Sequence, residues 1–580
     1  MNLTLTKTES ITMGKRFYLK YRFCVLAVPI IVFFLTHSIA IASLNEQIAI
    51  DAKAISLANT VTSSPPGMMS IHYNPAGLSQ LKGGKQFMIT FAALRLEISG
   101  KFESDPDFEG FLGGKFNDDK LDGASGKTSD LRIRAPFIGE IDIPGGMIVS
   151  PIAFGFSYRE ENSRWTFANG FYAPYVGGFS HNDKDDPMVY GGKSLYIQHF
   201  IYLSPSCSYQ FSDDFSAGLS IGIGQSAMGA ELDIRAPSEL VALTNEQGDT
   251  SGNLDIPVLS QLDAPAPWFG GGISPYDTIA KLKFKTRDDF SPSYNIGFLW
   301  EPIKWFSLGA CYQSEVKAKM RGEYMDALGD SFQNAIDWLG LSPPTLVMSQ
   351  ITGLPAESKA YEKGYCSLEF IFPQRLQVGI TVRPIKSLKL MTDMHWTEGS
   401  ANKTLALDFD QDMQVFQFIT QLGYSGGSRS MVVDLDMKNT LHFSYALEFQ
   451  AREWLSLRCG YEARESSVQD DHFTLLAPFP DLDILGAGIG ISLKNGLKVD
   501  LAGSYIYNKG FTVPNNTSKQ LNSTTFTDIF YNPYAGLDYE QDIEIFELAM
   551  SLSMPTNVVG HSIDRFFEVS GEFMRNLNPF

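Results

Sequence analysis

Over most of its length the chain alternates apolar and polar side chains in segments of roughly ten to twenty residues. Leu455, Leu457, Cys459, Tyr461 and Ala463 interleave with Ser456, Arg458, Gly460, Glu462 and Arg464. Phe546, Leu548, Met550, Leu552 and Met554 interleave with Glu547, Ala549, Ser551 and Ser553. Successive side chains of a strand point to opposite faces, so each segment has one greasy face and one wet face. The pattern predicts strands near 85–103, 147–159, 164–176, 195–211, 214–235, 288–301, 305–323, 366–383, 387–409, 436–450, 454–468, 484–493, 497–511 and 543–555.

The connections alternate as well. Short ones, such as Ser212-Asp213 and the hairpin signal Lys494-Asn495-Gly496, take turns with long ones, such as 104–146, 236–287 and 324–365. Closing fourteen such strands gives an all-β transmembrane antiparallel barrel, with lipid outside and water inside. An even strand count leaves both chain ends on the periplasmic side. Parity then assigns faces. On the seventh strand Phe306, Leu308, Ala310 and Tyr312 face lipid, which sends Glu315, Lys317, Lys319 and Arg321 inward. On the fifth, the apolar parity moves from Leu219, Ile221 and Ile223 to Met228, Ala230, Leu232 and Ile234. A bulge near Gly224 would explain this and turn Glu231, Asp233 and Arg235 inward.

The two ends lie outside this rhythm. Lys15, Arg16, Lys20 and Arg22 precede the apolar run Phe23–Leu35, and Ala40-Ile41-Ala42 is a small-x-small site. Residues 1–42 read as a signal peptide cleaved near Ala42, with an uncleaved anchor as the rival reading. Residues 43–84 lack strand rhythm. Residues 556–580 recur closer to helical spacing and read as a periplasmic amphipathic tail, with an extra strand as the rival.

Composition narrows the class. Hydrophobic residues make up 44% of the 580, and beyond the N-terminal segment no run of about 18 apolar residues appears, which excludes spanning helices. Without residues 1–42 the chain carries 41 basic against 64 acidic residues, which disfavours nucleic acid as a partner. Cys207, Cys311, Cys366 and Cys459 are scattered without metal spacing and read as small hydrophobes, so no metal or cofactor is expected. His395 falls beside Asp393, yet no Ser, His and acid arrangement is placed together by parity, so no catalytic residue is assigned.

Asn74-Pro75-Ala76-Gly77-Leu78, just ahead of the first strand, resembles the Asn-Pro-Ala hatch signature of the FadL-type long-chain fatty-acid and aromatic-hydrocarbon transporters. Further stretches agree in order. Tyr209-Gln210-Phe211-Ser212-Asp213-Asp214-Phe215-Ser216-Ala217-Gly218-Leu219 is similar to that family's hairpin between strands 4 and 5. Tyr294-Asn295-Ile296-Gly297-Phe298-Leu299-Trp300-Glu301 followed by Tyr312-Gln313-Ser314-Glu315-Val316-Lys317 is similar to the hairpin between strands 6 and 7. Pro65-Pro66-Gly67 departs from the family's Ala/Asp-rich hatch stretch.

The resemblance implies a barrel over 85–555 in a Gram-negative outer membrane, plugged by an N-terminal hatch over 43–84. Its substrates are hydrophobic small molecules, captured by an external groove and released sideways through the wall. Such a protein meets outer-membrane lipid and lipopolysaccharide, is inserted by the barrel-assembly machinery and acts as a monomer. The family's opening lies in its third strand, where this chain carries Gly170 and Pro174. Proline cannot donate to a ladder and glycine permits a bend, so both mark an interruption; the bland alternative is that Pro174 ends the strand. Two loops are unusually greasy, with Trp268 and Phe269 in one, and Phe332 and Ile336 on one helical face in the other. They pack together, hold an apolar ligand, or both. Arg235 and Lys317 are candidates to meet a fatty-acid carboxylate, against the alternative that they pair with neighbouring acids. Competing functional readings are a general diffusion porin, an adhesin or secretion-system barrel, and an outer-membrane enzyme.

Overall fold

The computed structural model describes residues 47, 49–135, 139–144, 147–183, 185–249, 265–421, 423–508, 510–525 and 532–556. The expected signal peptide, and all of the expected tail but Thr556, fall outside them.

Fourteen antiparallel strands form the wall. They are β1 (Gly84–Ser104), β2 (Met147–Arg159), β3 (Trp165–Ser180), β4 (Ser194–Leu203, resuming at Ser206–Gln210) and β5 (Phe215–Ile234). Next come β6 (Ala280–Ile303), β7 (Phe306–Gln313, then Val316–Leu328), β8 (Tyr361–Phe372, then Arg375–Ile385) and β9 (Leu388–Thr397, then Thr404–Phe409). The set ends with β10 (Ser430–Asp434, then Thr440–Arg452), β11 (Leu455–Arg464), β12 (Leu482–Ser492), β13 (Lys498–Tyr507, then Phe511–Val513) and β14 (Leu537–Pro555). Each strand pairs with the next, and β1 pairs with β14 from Gln86↔Pro555 to Ser104↔Leu537, which closes the cylinder and removes its edges. The strand count and order match the expectation from alternation.

The sidedness of the strands departs from it. On the inner half of β6, Tyr294, Ile296, Phe298 and Trp300 are exposed, as a lipid-facing surface requires. On the outer half Lys281, Lys285 and Arg287 are exposed while Leu282 and Phe284 are buried. The wall thus rises beyond the membrane. There its outside meets water and its inside becomes apolar.

This corrects two expected placements. The β5 ladders run without a bulge on β5 itself; the register shifts fall at Ile201/Leu203 on β4 and Asp288/Ser291 on β6. Met228, Ala230, Leu232 and Ile234 face inward, while Glu231 and Asp233 bind Lys283 and Lys281 on the outside. On β7 the inward parity shifts between its two pieces, from Ser307, Gly309, Cys311 and Gln313 to Val316, Ala318 and Met320. Lys317 therefore stands outside the barrel, exposed and 3.0 Å from Glu315, rather than in the lumen.

Candidate functional site: a hatch beneath an apolar chamber

Residues 49–83 fill the lumen. Asp51 caps the short helix α1 (Ala52–Ser56) by accepting from the amides of Lys53 and Ala54. Asn74 caps the 3-10 turn Pro75–Gln80, with proline at the first position, where no amide hydrogen is needed. The same Asn74 Nδ2 donates to Thr62 O at 2.9 Å and to Phe298 O on β6 at 3.0 Å, while its Oδ1 accepts from Ala76 N at 3.1 Å. Asn74, Pro75, Ala76 and Gly77 of the signature are buried together against β5 and β6.

The wall is shaped to receive this segment. A Cβ on Gly297 would lie 2.8 Å from Pro75 Cδ, and one on Gly218 would lie 2.6 Å from Ala76 N, so only glycine lets the backbones approach. Farther round, Thr62 N donates to Asp393 Oδ2 at 2.7 Å, Asn59 Nδ2 to Glu462 Oε2 at 3.0 Å, and Gln313 Nε2 to His72 O at 2.7 Å. His395 donates to or accepts from Ser444 Oγ at 2.9 Å and stacks on His442. It belongs to this buried polar layer.

Burial sets the charge of the hatch groups. It is the leading cause that lifts Asp51 to about 6, with the Asp500 charge second. Burial also lowers Lys53 to about 8 and His72 to about 3.

Above the hatch lies the apolar chamber. Leu195, Met228, Ala230, Phe284, Leu368, Leu405, Leu407, Met431, Val433 and Leu435 project into it from six strands. Leu476 and Ala477 meet them from above, on the loop 465–481, and the space left between is ≈ 20 Å³. Sequence reasoning passed over this loop, although Phe473, Leu475, Leu476, Ala477 and Phe479 carry the same greasy-loop signal that singled out the other two.

Those two loops pack together. Trp268 is buried with Trp338 and Leu339, and the rings of Phe269 and Trp338 lie 5.0 Å apart. Phe332 and Ile336 are buried on helix Asp330–Trp338, with Phe332 5.3 Å from Phe418. The neighbouring helix Pro343–Thr352 leaves Leu346, Val347 and Ile351 exposed. Arg235 is fully buried at the barrel mouth. Its guanidinium grips Asp119 at 3.0 and 2.8 Å, donates to Pro533 O at 2.5 Å and lies over the rings of Tyr190, Tyr276 and Tyr534. It ties the loops together.

The third strand interrupts the wall. β2 and β3 pair only from Tyr158↔Phe167 to Ala153↔Tyr172. Gly170 still sits in that ladder opposite Gly155, and the position of its missing Cβ is taken by Ile71 of the hatch. Pro174 falls within the register break between Tyr172 and Tyr175 in the pairing to β4. From Ala173 to Ser180 every residue is buried. Tyr175 looks inward onto Phe372, and the outer side is covered by the paired segments Asp130–Ala135 and Gly139–Pro144, whose Arg132 reaches Ser194 and Glu231.

A closed fourteen-stranded outer-membrane barrel, stoppered by its own N-terminal segment and lined with apolar side chains above it, defines a channel for hydrophobic compounds. The chain belongs to the outer membrane protein transport protein family (OMPP1/FadL/TodX), whose model matches residues 35–551, and it resides in the outer membrane of a Gram-negative bacterium. The family consists of transport channels. The chain is 23% identical over 367 residues to a long-chain fatty acid transport protein of Escherichia coli O6:H1, covering 63% of this chain and 69% of that one. Its fold is similar to that of a Pseudomonas aeruginosa FadL homologue, with a TM-score of 0.59 and 14% identity over 88% of this chain and 99% of the other. It is also similar to the Pseudomonas putida toluene transporter TodX, with a TM-score of 0.56 and 13% identity over 88% and 100%.

Proposed function

We propose that the protein imports hydrophobic small molecules by passive diffusion and releases them sideways where β2 and β3 part. The carrying observation is the layered bore, an apolar chamber standing on a hatch that fills the lumen. A polar solute gains nothing from such a chamber and is stopped by the hatch, which argues against a general diffusion porin. An apolar molecule gains roughly 25 cal/mol for each Å² of its surface taken from water. The names of its relatives, a fatty acid transport protein and a toluene transporter, point to the same class of cargo.

Capture begins on the exposed apolar face formed by Leu346, Val347 and Ile351. Below the chamber the hatch blocks the straight path. The ladder that would seal the wall ends at Ala153↔Tyr172, level with the outer edge of the membrane band, and this interruption supports a lateral route that meets lipid at that edge. No nucleotide motif occurs in the chain, so a concentration gradient drives the transfer. The protein works as a monomer, surrounded by lipopolysaccharide, after insertion by the barrel-assembly machinery.

Uptake of labelled alkylbenzenes and fatty acids in a deletion strain, restored by plasmid-borne protein, tests the import reading; unchanged uptake on deletion would refute it. A variant with Ala173→Thr and Pro174→Val, which favours continuous pairing at the break, should lose uptake while keeping the heat-resistant mobility of a folded barrel. Full uptake by that variant would rule out the lateral route.

A further inference from the structure

We infer that the tip of the loop 465–481 occupies the ligand's own binding site, and that a neutral apolar molecule binds by displacing it. This rests on the import reading above and names where and how the cargo is held.

The loop joins β11 to β12 on the outer side. Its tip runs inward rather than over the surface. Phe473 packs on Phe511 at 4.9 Å and on Tyr539 at 5.9 Å, against β13 and β14. Leu476 and Ala477 then reach the chamber residues of β4 to β6 and β8 to β10, on the far side of the cylinder. Phe473, Leu475, Leu476, Ala477 and Phe479 are all buried. The segment crosses the bore, and where Leu476 and Ala477 meet the chamber they face only apolar side chains, while Leu476 also borders Arg235 and Gln520 at the chamber's margin.

The tether is light. The tip carries no helix or strand after the 3-10 turn Asp470–His472. Three side chains hold its carbonyls from outside the tip: Ser518 Oγ donates to Phe473 O at 2.6 Å, Gln541 Nε2 to Pro478 O at 2.7 Å and Ser466 Oγ to Phe479 O at 2.6 Å. Each such bond is exchangeable for water when the tip lifts, so withdrawal leaves few unmet polar groups. What resists withdrawal is the apolar contact itself. An incoming ligand of the same chemistry replaces that contact. Its apparent affinity is lowered by the fraction of time the tip is docked.

The chamber wall also specifies the ligand's character. Among the described residues its lining has no charged side chain, and Arg235, at the margin, is held by Asp119. The part of a ligand that takes the tip's place is therefore an uncharged hydrocarbon chain or ring.

The test uses the full protein in lipid nanodiscs and the neutral fluorophore N-phenyl-1-naphthylamine. Binding is read by fluorescence, and the loop by hydrogen–deuterium exchange of the peptide spanning 466–482. Displacement predicts that exchange in this peptide rises as the fluorophore saturates. A ligand that merely packs against a fixed loop would slow it, and slower or unchanged exchange with bound fluorophore overturns this inference alone. Leu475→Ser with Leu476→Ser weakens the docked state and should tighten fluorophore binding about tenfold. An unchanged or weakened affinity in a variant that keeps its folded-barrel mobility also overturns it. If neither protein binds the fluorophore, the import reading falls together with this one.

Discussion

The side-chain amide of Asn74 donates to the carbonyl of Phe298, 3.0 Å away, and so stitches the hatch to β6. Its second donation, to Thr62 O, stitches the hatch to itself. Asn74→Ala removes both donors and the cap on Ala76 N, at a cost of about 1–3 kcal/mol for each buried partner left unsatisfied. The barrel should still fold. The hatch should dwell less in its docked position, seen as frequent ion-conducting openings in planar bilayers where the parent stays closed. Asn74→Asp should be at least as leaky, because it aims a carboxylate at two carbonyl oxygens.

Gly297→Ala makes the complementary change from the wall side. Its methyl would meet Pro75 Cδ and N inside contact distance, with a ring and a backbone nitrogen that cannot rotate away. Sensitivity to large antibiotics such as vancomycin should rise without loss of folded protein. Gly503→Ala serves as the control, since its Cβ would meet the flexible end of Leu548 at 3.2 Å. Equal leakiness in the two variants would refute a dedicated fit between Gly297 and the hatch.

The ion pair at the mouth predicts a cross-over in stability. Asp119→Ala leaves the Arg235 guanidinium buried without its carboxylate, a loss of about 3–5 kcal/mol. Adding Arg235→Met to that variant should recover most of it, because the uncompensated charge is gone. Proteolysis of the loop 105–124 on whole cells reads the effect: fast cleavage in the single variant, slower in the double. If the double variant is cleaved as fast as the single, the pair does not hold the loop.

Hatch docking should respond to pH through Asp51. The ordinary value for this carboxyl is 3.8, and in the docked hatch it is raised to about 6, first by burial and then by the Asp500 charge. Between those values the docked segment holds a proton that the undocked one has released. The contribution of Asp51 to docking therefore weakens as pH rises from about 4 to 6, with a full span on the order of 3 kcal/mol, while His72, lowered to about 3 by burial, contributes the opposite trend over the same range. Asp51→Asn keeps the helix cap and removes the titration. Over that window the open fraction in bilayers should climb more, or fall less, in the parent than in the variant; parallel curves would remove Asp51 from the account.

How much of this was legible in the chain depends on what period-2 alternation can say. It places residues on shared faces, so the strand number, the order and most turns follow from it. It does not say which solvent each face meets. Met228, Ala230, Leu232 and Ile234 continue a greasy pattern begun by Leu219 and Ile221 and were expected to face the same lipid. They face the opposite way because the membrane ends between the two sets. Lys317 went astray for a related reason: an offset at Ser314-Glu315 leaves no mark in composition. Arg235 was legible as a charge near the mouth, but its partner Asp119 lies 116 residues earlier, and only the fold joins them. Pro174 was readable from covalent chemistry alone, whereas the part Gly170 plays against Ile71 was not.

The 24 residues of β6 span nearly 80 Å end to end, or about 55 Å of height at the tilt usual for such walls. The hydrocarbon it crosses is about 30 Å thick. The remainder stands as a turret above the membrane, hydrophilic to its surroundings and oily within. On the proposed import route, this height would give hydrocarbons a private solvent across the aqueous layer above the membrane, so that the first lipid they meet lies beneath it.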